Sequence, residues 1–272
     1  MNIRLIATDI DGTILPFGAG DVSPATKEAV RLCERKGVPF VIASGRWYVA
    51  AKRIVDALDI RDGYLVVADG GAVMTTGGSV LREWRMRPEQ ARWIHRISLH
   101  YDMMRIAFTP QGLYRVGGEV MGRELIPFRQ YPGGFEEING DETAFLQRGL
   151  DAPYKLDFYS PDKTALKALR SELEAEGFTV VSSWPTNIEV MMPDTGKGHA
   201  VRWLAESLGI APENVMVFGD HTNDLNLFRC AGWPVAVGNA VDALKDAARL
   251  VCESCEQDGV ARTIQSVLGG SP

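Results

Sequence analysis

The strongest constraint on the fold is an alternation that fills both ends of the chain and breaks in the middle. Apolar, β-branched runs at residues 5–7, 38–43 and 64–68 are separated by helical stretches at 24–36 and 47–58. Runs without polar alternation, spaced by helices, are the pattern of parallel strands covered on both faces. Ser23 stands where a cap would open the first helix, and Gly37 where a glycine would close it. The rhythm returns near the carboxyl end: helices at 197–208, 224–230, 241–248 and 260–268 alternate with strands at 215–218, 235–237 and 250–252. The expected fold class is α/β, a doubly wound and mostly parallel sheet.

The middle has another texture. Strand-like runs at 104–108, 113–116, 154–159, 178–182 and 188–191 mix with helical patterns at 89–100 and 163–176, as in an α+β domain. The expected organisation is a core from residues 1–81 and 193–272, with 82–192 as an inserted α+β domain. A chain of 272 residues has room for both.

Four segments carry chemistry. Asp9-Ile10-Asp11-Gly12-Thr13 follows the first strand, at the sheet end where α/β proteins bind ligands. A bare Asp-x-Asp is only an acidic turn; with Gly-Thr and the strand before it, the pair can share a divalent ion while the Ile10 and Asp11 amides face an anion. Ser44-Gly45-Arg46 ends the second strand, where a hydroxyl and free amides at a helix start suit an anion, although Ser44 reads equally as a helix cap. Gly196-Lys197-Gly198 opens a helix. It is not a Walker loop, since Met191 stands at the first glycine and Gly198 at the hydroxyl position. Gly219-Asp220-His221-Thr222-Asn223-Asp224 follows another strand and adds hard oxygen donors of the kind magnesium takes. His221 reads as a loop residue, because softer metals would call for more histidine.

These segments, in this order, closely resemble the haloacid dehalogenase-like superfamily, and within it the Cof-type phosphatases, whose large cap domain lies between the second and third motifs. The resemblance implies a Rossmann-like core with 82–192 as a cap that selects substrate. It implies that Asp9 attacks phosphorus to give an aspartyl-phosphate, and that Asp11 protonates the leaving oxygen and then activates water. Magnesium would be held by Asp9, the Asp11 carbonyl and Asp220, with Asp224 supporting that shell. Ser44 and Asn223, with the Ile10 and Gly45 backbone, would hold the phosphoryl group, and Lys197 would balance charge. The segments 236–240 and 258–260 are also similar to the family's closing segments. Two positions depart from it: Gly70-Gly71-Ala72 where relatives commonly show Asn-Gly-Ala, and Cys255 where asparagine is common.

The implied partner is a small phosphorylated metabolite. Sugar phosphates come first, then flavin or pyridoxal phosphates. Arg46, Arg105, Arg115, Arg123 and Lys155 are candidates to meet a second polar group on it, and Tyr159 and Trp184 to stack on a ring. The same residues would serve a phosphomutase or phosphotransferase. A non-catalytic phosphate-sensing module would not need Asp11. A net charge of -6 without a basic block lacks the footprint of a nucleic-acid binder. No leader-like or membrane-length apolar segment is read, so the expected location is cytoplasmic. Cys252 and Cys255 have redox spacing but no second pair, and the four cysteines read as ordinary thiols. No oligomeric state is legible.

Overall fold

The computed structural model describes residues 2–117 and 138–270. The chain forms two compact units, Met1–Arg82 with Gly196–Pro272, and Glu83–Thr195.

The first unit is built on β1 (Leu5–Thr8), β2 (Phe40–Ala43), β3 (Tyr64–Val67), β4 (Ala72–Thr75) and β5 (Val80–Glu83), joined by three later strands of the chain, β12 (Val215–Gly219), β13 (Trp233–Ala236) and β14 (Leu250–Val251). The sheet order is β14-β13-β12-β1-β2-β3-β4-β5. Every pairing from β14 to β3 is parallel, and β4 runs antiparallel to β3. Leu5, Ile6 and Ala7 have no exposed surface, as a central strand covered on both faces requires. The expected doubly wound, mostly parallel sheet is present. β4 and β5 are additions, because their runs lie among Gly70, Gly71, Gly77 and Gly78, which read as turn.

Local chemistry sets the helices. Ser23 Oγ accepts from the Thr26 N–H at 3.0 Å, Pro24 opens the helix Pro24–Arg35, and Gly37 follows it at φ 66°. Register then sets the site. Thr8 pairs with both Phe218 and Ile42, so the turns after β12, β1 and β2 leave the sheet side by side. Neighbouring strands lie about 4.8 Å apart, which brings groups more than 200 residues apart in sequence within reach of one another.

The second unit holds β6 (Met104–Thr109), β7 (Gly112–Val116), β8 (Ile138–Asn139), β9 (Lys155–Tyr159), β10 (Thr179–Val181) and β11 (Asn187–Met191), in the order β10-β11-β9-β6-β7-β8. The pairings are antiparallel except β7 with β8. β8 and the helical stretch from Glu142 to Gly149 were not legible from periodicity, being too short to show one. Helices Pro88–Ser98 and Lys163–Ala175 pack on one sheet face, where Leu156, Phe158, Ile188 and Val190 meet Ile94, Leu166 and Leu169. Strand alternation sends Lys155, Asp157 and Glu189 to the other face. Asp157 and Glu189 are cross-strand partners, and Lys155 Nζ lies 3.2 Å from Asp157 and 2.6 Å from Glu189, all three nearly unexposed. The ammonium also stands 4.3 Å from the Phe108 ring centroid.

Among the described residues, no helix is long and apolar enough to cross a membrane. The four cysteines are free thiols.

Breaking the Lys155 cluster from one side would leave two buried carboxylates without their cation. We expect Lys155→Met to cost about 3–5 kcal/mol in urea denaturation; a loss below about 1 kcal/mol would show that the carboxylates find other compensation.

Candidate active site

Asp9 leaves β1 with its N–H bonded to the Phe218 carbonyl at 3.1 Å. The chain then turns tightly, the Ile10 carbonyl accepting from the N–H groups of Thr13, Ile14 and Leu15. Gly12 makes this turn possible in two ways: its φ is +75°, and a Cβ there would overlap the Asp220 carboxylate. Thr13 Oγ1 donates to Asp220 Oδ1 at 3.2 Å, tying the first segment to the fourth. Asn239 adds a brace, donating to the Gly12 carbonyl at 2.8 Å and accepting from the Cys255 N–H at 2.8 Å. Cys255 thus serves that brace through its backbone N–H, a contact that does not depend on its side chain.

Lys197 lies at the centre. Its Nζ is 2.8 Å from Asp9 Oδ1 and 2.8 Å from Asp224 Oδ1, and the residue is 1% exposed. Asp224 Oδ2 accepts from the Asp220 N–H at 3.1 Å, so both Asp224 oxygens work as internal anchors. Carboxylate oxygens of Asp9, Asp220 and Asp224 all lie within 4.8 Å of one another. Burial holds the Asp9 carboxyl well above its usual range against the pull of Lys197, with Asp224, Asp220 and Asp11 adding to the rise. Burial, then Asp224, pushes Asp220 up to about 7. For Lys197, burial opposes the charged form, but Asp224, Asp9 and Asp69 outweigh it and hold the ammonium well above its usual range. A buried, oxygen-only cluster with excess negative charge fits a hard divalent cation such as magnesium. Asp9, Asp220 and Asp224 are the carboxylates that could hold it.

Asp11 stands apart from this cluster. Arg46 grips it with both arms, Nε to Oδ2 at 2.9 Å and Nη2 to Oδ1 at 2.6 Å, with Arg46 8% exposed. Ser44 is buried, and its Oγ accepts from the Arg46 N–H at 3.2 Å; this is a turn contact and not the expected helix cap, because the helix Tyr48–Ala57 starts after Trp47, which makes no side-chain cap bond. Gly45 lies beneath Asp69, whose carboxylate occupies the space a Cβ would need. Asn223 is half-buried in the turn Thr222–Asp224, and the His221 ring is engaged by Thr222.

Asp69 is a residue that sequence reasoning missed. It sits in the turn Ala68–Gly70 after β3, with positive φ at Ala68, Asp69 and Gly70 in succession. Such a conformation is strained for the two residues that carry side chains. Its N–H bonds the Ser44 carbonyl at 3.1 Å. The signal that could have found it is the one that found Asp9 and Asp220: a carboxylate just beyond a buried strand.

The other candidates belong to the second unit. Arg105 is buried, donating to Ser98 Oγ at 2.7 Å and to the Met103 carbonyl at 2.6 Å, while Lys155 is paired as described. Arg115 is half-buried near Gly140, Tyr159 is buried, and Trp184 is half-buried with its backbone N–H donating to Asn187 Oδ1 at 2.9 Å. Arg123 lies outside the described residues.

Comparison with known proteins places the chain in a family. The family model of haloacid dehalogenase-like hydrolases matches residues 6–264. The 5-amino-6-(5-phospho-D-ribitylamino)uracil phosphatase YwtE of Bacillus subtilis is 28% identical over 98% of this chain and 99% of its own. The pyridoxal phosphate phosphatase YbhA of Escherichia coli is 27% identical over 98% of this chain and all of its own, 100%. A solved haloacid dehalogenase-like hydrolase from B. subtilis superposes with a TM-score of 0.82 at 26% identity, over 97% of this chain and 99% of that one. With a match that runs through every loop of the carboxylate cluster, the chain belongs to the haloacid dehalogenase-like hydrolase family, in its Cof-type phosphatase branch.

Proposed function

We propose that the protein is a magnesium-dependent phosphatase that hydrolyses small phosphorylated metabolites through a phosphorylated Asp9. The observation that carries this reading is the Lys197 ammonium anchored on Asp9 Oδ1 and Asp224, with Asp220 close by. One Asp9 oxygen is held and the other is left to attack phosphorus. A covalent intermediate divides a very high barrier into two steps.

The roles follow. Asp9 attacks the phosphoryl group while Asp11 gives a proton to the departing oxygen. Asp11 then takes a proton from water, the water oxygen attacks phosphorus, and the phosphorus–Asp9 bond breaks to release phosphate. Because Arg46 occupies both Asp11 oxygens, that pair has to part before Asp11 can act, and an incoming phosphoryl anion offers the guanidinium another partner. Ser44, Asn223 and the Ile10 and Gly45 backbone hold the phosphoryl oxygens, and Lys197 balances their charge. Magnesium held by Asp9, Asp220 and the Asp11 carbonyl, with Asp224 in support, supplies charge neutralisation between the anionic nucleophile and the anionic ester.

The unit Glu83–Thr195 is the proposed selector of substrate. Relatives named for a ribityl phosphate and for pyridoxal phosphate stand at 28% and 27% identity, so a small monoester is the class they support. Sugar phosphates are the first to test. A cytoplasmic location belongs to the same reading and suits four free thiols. A phosphomutase or phosphotransferase would use the same residues and differ only in excluding water.

A panel of phosphate monoesters assayed with magnesium should show release of inorganic phosphate rather than an isomerised product. Asp9→Asn should lose at least about 1,000-fold in kcat while its melting temperature holds; undiminished turnover would remove Asp9 as nucleophile.

Magnesium affinity should depend on pH. Asp220 is held up to about 7 and Asp9 is raised as well, so below pH 7 protons compete with the ion. Binding should therefore release protons and tighten between pH 6 and 8. Calorimetry in buffers of different ionisation enthalpy reads this directly, and an affinity flat across that range would contradict the proposed ligands.

A further inference from the structure

Lys197 is delivered to its partners by a helix start whose N-cap residue has no side chain to hold it. Gly196 occupies the position before the helix Lys197–Ser207 at φ 144°, and it caps nothing. The first N–H groups of a helix need acceptors from elsewhere. Here the acceptor comes from another segment: Asn226 Oδ1 receives the Gly198 N–H at 2.9 Å.

The Asn226 amide also fills the space beside the turn. A Cβ on Gly196 would overlap Asn226 Nδ2, and one on Gly198 would overlap the Asn226 carbonyl. On the opposite side, a Cβ on Gly70 would overlap the Gly196 carbonyl. The departure at Gly70 therefore has a physical use in this chain, since the bare Cα lets the turn seat against it. Three glycines and one asparagine leave the turn little freedom to shift. Asn226 lies two residues beyond Asp224, so one short segment supplies both an ion-pair partner for the ammonium and an acceptor for the backbone that carries it.

We propose that Asn226 is a positioning residue for phosphoryl transfer, a role that rests on the reading of Asp9 and Lys197 given above. It acts through the Gly198 N–H and fixes the Lys197 ammonium between Asp9 and Asp224. It does not touch the reacting atoms in this role. Losing it lets the turn shift, and shifts of about 1 Å in a catalytic group cost about 100-fold in rate.

The test compares full-length wild type, Asn226→Ala and Asn226→Asp with para-nitrophenyl phosphate and magnesium, alongside melting temperature and amide hydrogen exchange at Gly198. The expected result for Asn226→Ala is a kcat lower by about 10- to 100-fold, a KM nearly unchanged and faster exchange at Gly198. Asn226→Asp keeps an acceptor for the same N–H, so it should recover most of kcat and the slow exchange. Wild-type kcat in Asn226→Ala would overturn the proposal, as would unchanged Gly198 exchange. Should the alanine variant fail to fold, the aspartate variant decides: retained kcat with slow exchange supports the clamp, and lost kcat at wild-type melting temperature overturns it. A wild type inert on every monoester would defeat the phosphatase reading instead, and exchange at Gly198 would still judge the clamp.

Discussion

The contact on which the site depends is that of the Lys197 ammonium with Asp9 and Asp224, 2.8 Å from each and sealed from solvent. Charges this deeply buried are tolerated only when paired, because the loss of hydration otherwise drives them neutral or unfolds the site. Three carboxyl groups, Asp9, Asp220 and Asp224, crowd around one ammonium, and Asp69 adds to the field at Lys197. The crowding of these carboxyls adds to burial, the larger cause, in holding Asp9 and Asp220 above their usual range. It is also the physical reason a divalent cation suits the cluster.

The second unit uses the same device to another end. Lys155 sits between Asp157 and Glu189 as Lys197 sits between Asp9 and Asp224. The difference lies in how the groups are brought together. Lys155 and its partners stand on adjoining strands, so sheet register alone sets their spacing. The Lys197 group comes from loops and a helix start, so its spacing depends on glycines that let backbone and carboxylate approach. Gly12 admits Asp220, Gly45 admits Asp69, and Gly196 and Gly198 admit Asn226. Loop-built sites of this sort can exchange partners as rigid sheet clusters cannot, and the proposed mechanism asks such an exchange of the Arg46–Asp11 pair.

Much of this was legible in the residues alone. The strands of the parallel sheet announce themselves as unbroken apolar runs, because both faces are covered. Ser23 and Gly37 mark the ends of a helix through their own local bonding. Asp9, Asp11, Asp220 and Asp224 stand out because a carboxylate just past such a run lands at the ligand-binding end of a sheet. These are short-range facts, carried by a residue and its near neighbours.

Only the tertiary structure decided who meets whom. The Asp11–Arg46 pair spans 35 positions, Asp9–Lys197 spans 188 and Asn226–Gly198 spans 28, and no local pattern encodes those distances. Asp69 carried the same strand-end signal as Asp9 and Asp220, and what only the fold adds is its contact with the Gly45 turn and its field at Lys197. Arg105 and Lys155 were legible as charges but not as buried ones, since strand parity and register decide which face of the sheet a side chain takes and which partners it meets there. The sequence determined which chemical groups this protein owns; the folded sheet, through strand order and close backbone contacts, decided which of them act together.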